Sequence, residues 1–328
     1  MKIRALLLSV VLGAAFLVAP AQAATQLSVG VAYDIGGRGD KSFNDASAAG
    51  LEKAQKQFDF NLEAVVTDGT SADREKRIRS LITKNCNPII AIGAGYAPTL
   101  QALSVEFPNT HFAIINDASV AALNVTSVIF ANTQGAYLAG FSAAQVSKTG
   151  KVAMIANPDQ ADIYKDGFSA GVFASKKKVI PIVKYVSGSY SAATNQVIDA
   201  GADVLFVATQ GSDSEVFKVI VARNAKKKGS NVGLINVEPD QYITVTSATK
   251  KFLIASVVKR VDKAIYDIIA LSAAKKQYLD ILDSEAGIYG RRYGITGGGI
   301  EFTIRSKELL ALSASINVAA ATAEKIPA

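Results

Sequence analysis

The chain contains one cysteine, Cys86, and one histidine, His111, in 328 residues. A single thiol rules out a disulfide within the chain, and Cys86 is expected to be a buried structural thiol. With so little histidine and cysteine, zinc sites and histidine-dependent nucleophilic triads are excluded. Phosphate-binding loops are missing too. Lys41-Ser42 follow Asp40 where GxxxxGK[ST] needs glycine, and Gly37, Gly39 and Ser42 give GxGxxS rather than GxGxxG. Asp34, Asp40 and Asp45 in that stretch would also repel phosphate. No cofactor is therefore expected, and no metal. The net charge is +7, but the runs Lys176–Lys178 and Lys226–Lys228 carry no interleaved aromatics. They read as solvated helix ends, so no nucleic-acid partner is expected.

Beyond the N-terminus the sequence also lacks any apolar run near the ~20 residues that a membrane span requires. At the N-terminus, Lys2 and Arg4 precede an apolar run from Ala5 to Val18 that closes on Ala21-Gln22-Ala23. This pattern predicts a secretory signal peptide over residues 1–23, cleaved after Ala23, with no cysteine there to accept a lipid. An exported, periplasmic protein with no integral membrane segment in the mature chain is the expectation. About 300 remaining residues suggest two domains.

What the chain does have is alternation. Short β-branched runs at 27–32, 62–66, 89–92, 112–115 and 125–130, then at 152–155, 182–186, 204–207 and 232–235, alternate with amphipathic or small-residue stretches. One of these is a helix over 73–84 with Ile78, Leu81 and Ile82 as its apolar stripe. The pattern predicts an α/β protein with two doubly wound parallel sheets. Ligands bind such sheets beyond the carboxyl ends of the strands, and the polar clusters fall there. The richest is Ala32 to Gly50, AYDIGGRGDKSFNDASAAG, whose glycines permit close backbone approach and whose Asp, Asn and Phe suit a neutral, hydroxyl-bearing ligand. Others are Thr67 to Ser71, Gly93 to Tyr96, Asn116-Asp117, Tyr190, and Asn236 to Gln241.

Several segments together resemble the basic membrane protein (BMP) family of substrate-binding proteins, which includes purine nucleoside receptors of ABC transporters. They are Asp34-Ile35-Gly36-Gly37 with Asp40 to Asn44, Phe112 to Ile115, Gln134 to Gly140, Gly201 to Val204, Asp240-Gln241, and Ser256 to Asp262. The resemblance covers almost the whole mature chain. It implies a type I periplasmic-binding-protein fold, two lobes with a ligand cleft between them, joined by three crossings. From the alternation these fall near Asn132, Ala255 and Gly290. Residues 24–131 with 256–289 would then form one lobe, and 132–255 with 290–328 the other.

The resemblance also implies a base sandwiched between aromatics. Phe43 matches the first-lobe position, and Tyr190 is the favoured partner, with Phe168 and Phe206 as alternatives more in keeping with a core. Asp34 and Asn44 are expected to meet polar edges of the ligand, and Lys259, placed early in a helix after Ser256, to reach it. Arg260 and Asp262 read as a surface pair. Two positions depart from the family pattern, Asn116 where FAIID would put a carboxylate, and Glu238 where GVDxDQ would put Asp. The expected function is a non-enzymatic receptor that closes on a purine nucleoside (inosine, guanosine or adenosine type) and presents it to an ABC permease. A sugar or polyol receptor, a nucleoside hydrolase using Asp34 and Asp40, and a sensor partner are the alternatives.

Overall fold

The computed structural model describes residues 26–158, 161–209, 213–226 and 231–326, and the expected signal peptide lies outside them. In chain order the first part runs β1 (Leu27–Tyr33), α1 (Phe43–Gln55), β2 (Phe60–Val66), α2 (Ser71–Thr83), β3 (Ile89–Ile92), α3 (Ala97–Glu106), β4 (Phe112–Ile115) and β5 (Val125–Phe130). The next part runs α4 (Asn132–Val146), β6 (Lys151–Ala156), α5 (Ala161–Ala174), β7 (Ile180–Tyr185), α6 (Tyr190–Asp199), β8 (Val204–Ala208), α7 (Asp213–Lys226), β9 (Gly233–Glu238), α8 (Ser247–Lys250) and β10 (Leu253–Lys259). The last comprises α9 (Val261–Ala273), β11 (Asp280–Asp283), β12 (Ile288–Tyr293), β13 (Ile300–Ile304), α10 (Lys307–Leu310) and α11 (Ser313–Ala323).

Two sheets result. One has the order β11-β12-β5-β4-β3-β1-β2, the other β13-β10-β9-β8-β6-β7. Within each, the five strands that come first in the chain are parallel and follow the same second-first-third-fourth-fifth order. Central strands such as β3 (IIAI) and β4 (FAII) are buried throughout, as expected of strands covered by helices on both faces. The α/β class and the two doubly wound lobes read from the alternation are thus what the chain forms. In this order the topological switch lies between β1 and β3 in the first lobe, and between β6 and β8 in the second, and a crevice opens there.

The chain passes between sheets after Phe130, Lys259 and Tyr293, and the last two passages differ from the positions expected near Ala255 and Gly290. Ser256 to Lys259 stay in the second sheet because β10 keeps pairing with β9 and β13 up to its end. Gly290 to Tyr293 stay in the first because β12 pairs with β5 through Tyr293 and Phe130. The crossings are tied together: the Ala131 N–H donates to the Tyr293 carbonyl (2.9 Å) and the Arg260 N–H to that of Gly299 (3.0 Å). One continuous apolar cluster runs from the first lobe through Ala131, Val261 and Tyr293 into the second.

Helices α4 and α5 pack backbone to backbone. A Cβ on Gly171 would lie 2.0 Å from the Tyr137 carbonyl oxygen, and one on Gly140 2.0 Å from that of Phe168. Neither backbone can step aside without opening the second-lobe core. Gly171→Ala is therefore expected to destabilise the protein by at least about 1–3 kcal/mol. Gly188→Ala, with nothing within 4 Å of the new methyl, is the control. Denaturant titration of both variants is the check, and equal midpoints would refute the close-packing account.

Candidate functional site

In the first lobe the loop after β1 is built by its own side chains. Asp40 accepts from the N–H groups of Ser42 (2.8 Å), Asn44 (3.0 Å) and Asp45 (3.1 Å), closing the start of α1. Asp45 in turn accepts from Gly39 (2.7 Å) and Lys41 (2.9 Å). Asn44 is buried, accepts from the Asp34 N–H (3.1 Å), and donates to the carbonyls of Asp34 (3.3 Å) and Ile35 (3.5 Å). Its amide holds the loop. A cavity of about 210 Å³ opens above it, lined by Asp34, Phe43, Gly93 and Asn116 among others.

Asp34 is gripped by Arg74, whose Nη2 donates to Oδ1 at 2.9 Å while Nη1 donates to the Gly69 carbonyl at 2.7 Å. The guanidinium also lies 5.5 Å from the Tyr96 ring centre. Sequence reasoning missed Arg74. The signal was present, since Arg74, Ile78 and Leu81 fall at i, i+4 and i+7 on one helical face, and an arginine on an apolar stripe needs a buried partner. Gly93, at φ +102°, leaves room for the same carboxylate, because a Cβ there would meet Asp34 Oδ2 at 2.9 Å. Asn116 adopts φ +65°, a region Asn tolerates better than most residues, and its N–H donates to the Val128 carbonyl.

In the second lobe the polar groups meet at the ends of β9 and β10. Val258 pairs with Glu238, so Lys259 emerges one residue past it on the neighbouring strand. Lys259 is the last residue of a strand, not an early residue of a helix as the sequence suggested; α9 begins only at Val261. It is 1 % exposed, and among the described residues its Nζ has no hydrogen-bond partner. That Nζ lies 5.6 Å from the Phe43 ring centre and 5.7 Å from the Tyr164 ring centre. The lysine thus brings one aromatic from each lobe to a common point.

Tyr164 is the residue the sequence reading overlooked on this side. It sits on α5, after β6 and at the switch point, with Phe168 and Val172 following at i+4 and i+8 on the same buried face. Phe168 and Phe206 stack on each other at 5.7 Å and are wholly buried, as a core pair would be. Tyr190 opens α6 after β7, the edge strand of its sheet, and packs against the cluster containing Ala193, Val197 and Val216. The topology puts it one strand outside the switch point. Arg260 makes a two-pronged pair with Asp262 (2.8 and 2.7 Å) and reaches Glu301 at 3.2 Å, at the second crossing.

The second-lobe carboxylates are deeply buried. Burial pushes Glu238 up to about 7 from its ordinary 4.5, with Asp213 adding to the rise and Lys259 opposing it. Its Oε2 has no partner among the described residues, nor have the Tyr164 hydroxyl and Asn236 Oδ1. Burial pulls the Lys259 ammonium down, yet Tyr164 and Glu238 leave it above its ordinary value. Asp213, also raised by burial, accepts from the Thr209 hydroxyl and from Gln241 Nε2 (2.6 Å), and Gln241 Oε1 accepts from Asn236 Nδ2 (3.2 Å). Among the described residues no group of acidic, histidine or cysteine side chains could hold a metal ion, and no helix is long and apolar enough to cross a membrane.

A folded-state pKa above the unfolded one means that the native chain binds more protons between the two values. The contribution of Glu238 to stability in the ligand-free protein is therefore present at about pH 4.5 and lost as pH rises through about 7, with a slope of at most about 1.4 kcal/mol per pH unit. Asp213 acts in the same direction from its own lower starting value. Glu238→Gln is expected to flatten this slope in denaturant titrations across pH 4.5–8. Parallel curves for the two proteins would show that Glu238 is not the protonated group.

Comparison with known proteins agrees with this architecture. The family model described as Bmp, ABC transporter substrate-binding protein PnrA-like, matches residues 27–326. A Listeria innocua protein named CD4+ T-cell-stimulating antigen is 31% identical over 268 residues, 75% of this chain and 74% of its own. A Lactococcus lactis protein named ABC transporter nucleoside-binding protein BmpA is 26% identical over 261 residues, 74% of each. In fold, the chain is similar to an ABC transporter solute-binding protein from Aeropyrum pernix, with TM-score 0.66 at 22% identity, covering 92% of this chain and 81% of that one. The resemblance read from the loop and crossing motifs holds over the whole described chain, which belongs to the Bmp family, the PnrA-like substrate-binding proteins of ABC transporters.

Proposed function

We propose that this protein is the periplasmic receptor of an ABC importer, closing its two lobes on a purine nucleoside and presenting it to the permease. The observation that carries this reading is the meeting of Phe43 and Tyr164, from opposite lobes, around the unpartnered Lys259 beside Glu238. Flat aromatic faces suit a base, and a buried set of unsatisfied donors and acceptors suits a ribose, whose hydroxyls both donate and accept. The Lactococcus relative's name points to the same ligand class.

In this reading Phe43 and Tyr164 stack on the base. Asp34, oriented by Arg74, and Asn116 take polar edges from the first lobe. Glu238 and Lys259 hold the ribose from the second, and Asn44 keeps the first loop in shape. The hydrolase alternative loses its pair of free carboxylates, because Asp40 accepts three backbone N–H groups and Asp34 is bound by Arg74.

Titration calorimetry with inosine, guanosine and adenosine, after unfolding and refolding to strip co-purified ligand, is the direct test. Saturable binding of at least one is expected, and silence with all three, together with a response to monosaccharides, would overturn the nucleoside reading in favour of a polyol. Phe43→Ala should weaken binding by at least about two- to tenfold from the lost stacking. Ionised Glu238 is the acceptor form, so affinity should rise as pH increases through about 7, and Glu238→Gln should abolish that dependence. A pH-independent affinity in the parent protein would remove Glu238 from the ligand.

A further inference from the structure

The cavity at Phe43 has a larger neighbour. Asp40 and Ser42 line both that cavity of about 210 Å³ and a second, larger groove of about 550 Å³. The groove starts at the cleft, where the first-lobe loop faces Asp213 and Gln241, and follows one face of α7 between that helix and the segment leading into α8. Its character changes along its length. The cleft end carries Asp213 hydrogen-bonded to Gln241, and the far part presents Phe217, Val221 and Ala225 opposite Val245, with Lys218, Thr244 and Thr246 also on its walls. From Asp213 to Ala225 this face extends about 18 Å.

A nucleoside needs little more room than the first cavity and the aromatic pair supply. A polar head site that shares Asp40 and Ser42 with a longer groove of largely apolar surface suits a ligand with two parts. Building on the nucleoside reading, we infer that the groove along α7 receives an apolar substituent carried by the ligand, so that the receptor's substrate class is the nucleoside bearing an alkyl or aryl extension. Val221 is half-buried and Ala222 and Ala225 are exposed, so the trough is open to such a group without rearrangement of the core. Each methylene fully transferred from water to an apolar surface is worth about fourfold in affinity. Even a partly covered six-carbon chain gives a gain that calorimetry reads easily.

The probes are adenosine, N6-hexyladenosine and 5′-O-hexyladenosine, which carry the chain at opposite ends of the same nucleoside. They are titrated into the parent protein and into Ala222→Trp, an exposed helix position on the wall of the groove, nearer the cleft than Ala225 and within reach of a six-carbon chain. At least one hexyl probe is expected to bind at least about tenfold more tightly than adenosine to the parent protein. The gain should vanish in Ala222→Trp while adenosine affinity is unchanged. Adenosine binding with no gain from either chain would overturn the inference and leave the nucleoside reading intact. A gain that survives Ala222→Trp would place the chain elsewhere and equally overturn it. If neither adenosine nor the hexyl probes bind, both readings fall, whereas a hexyl probe that binds where adenosine does not would keep the groove and remove the unsubstituted nucleoside.

Discussion

A lysine ammonium sealed from solvent without a hydrogen bond is costly, and at the end of β10 the protein keeps Lys259, whose Nζ has no hydrogen-bond partner among the described residues. Much of the second lobe is arranged around Lys259. Glu238 supplies the nearby opposite charge, Tyr164 and Phe43 supply ring faces, and the Asp213–Gln241–Asn236 chain holds the strand end beside it.

The first lobe solves the converse problem. Its loop is acidic, yet its carboxylates are already engaged, two by backbone N–H groups and one by Arg74. Asp34 lines the cavity, and its orientation is set by Arg74 from the first turn of α2. One lobe offers a preformed platform and the other unsatisfied polar groups.

Most of the fold was legible in the sequence, because parallel buried strands write long β-branched runs and their carboxyl-end loops collect polar residues. The nine expected strand positions and the polar loop at Asp34 to Asn44 depend on such local patterns. What was not legible depends on topology. Tyr190 and Tyr164 both follow strands of the second series, and only the strand order tells that β7 is an edge while β6 borders the switch point. Lys259 looked helical because the apolar run of β10 passes into α9 with a single residue between them. Arg74 was not singled out, because the helix over 73–84 was described only by its apolar stripe, whose face Arg74 shares. Asn116 looked like a lost carboxylate, although its left-handed backbone gives the amide a reason of its own.

Each sheet is finished by strands from the far end of the chain, β12 pairing with β5 and β13 with β10. For a chain that emerges N-terminus first, this makes the last stretch the keystone of both lobes. Neither sheet has its full set of strands, and the third crossing does not exist, until that stretch arrives. A chain cut short before β12 would carry the loops at the carboxyl ends of its parallel strands on two sheets that both lack an edge and on lobes joined by two crossings instead of three.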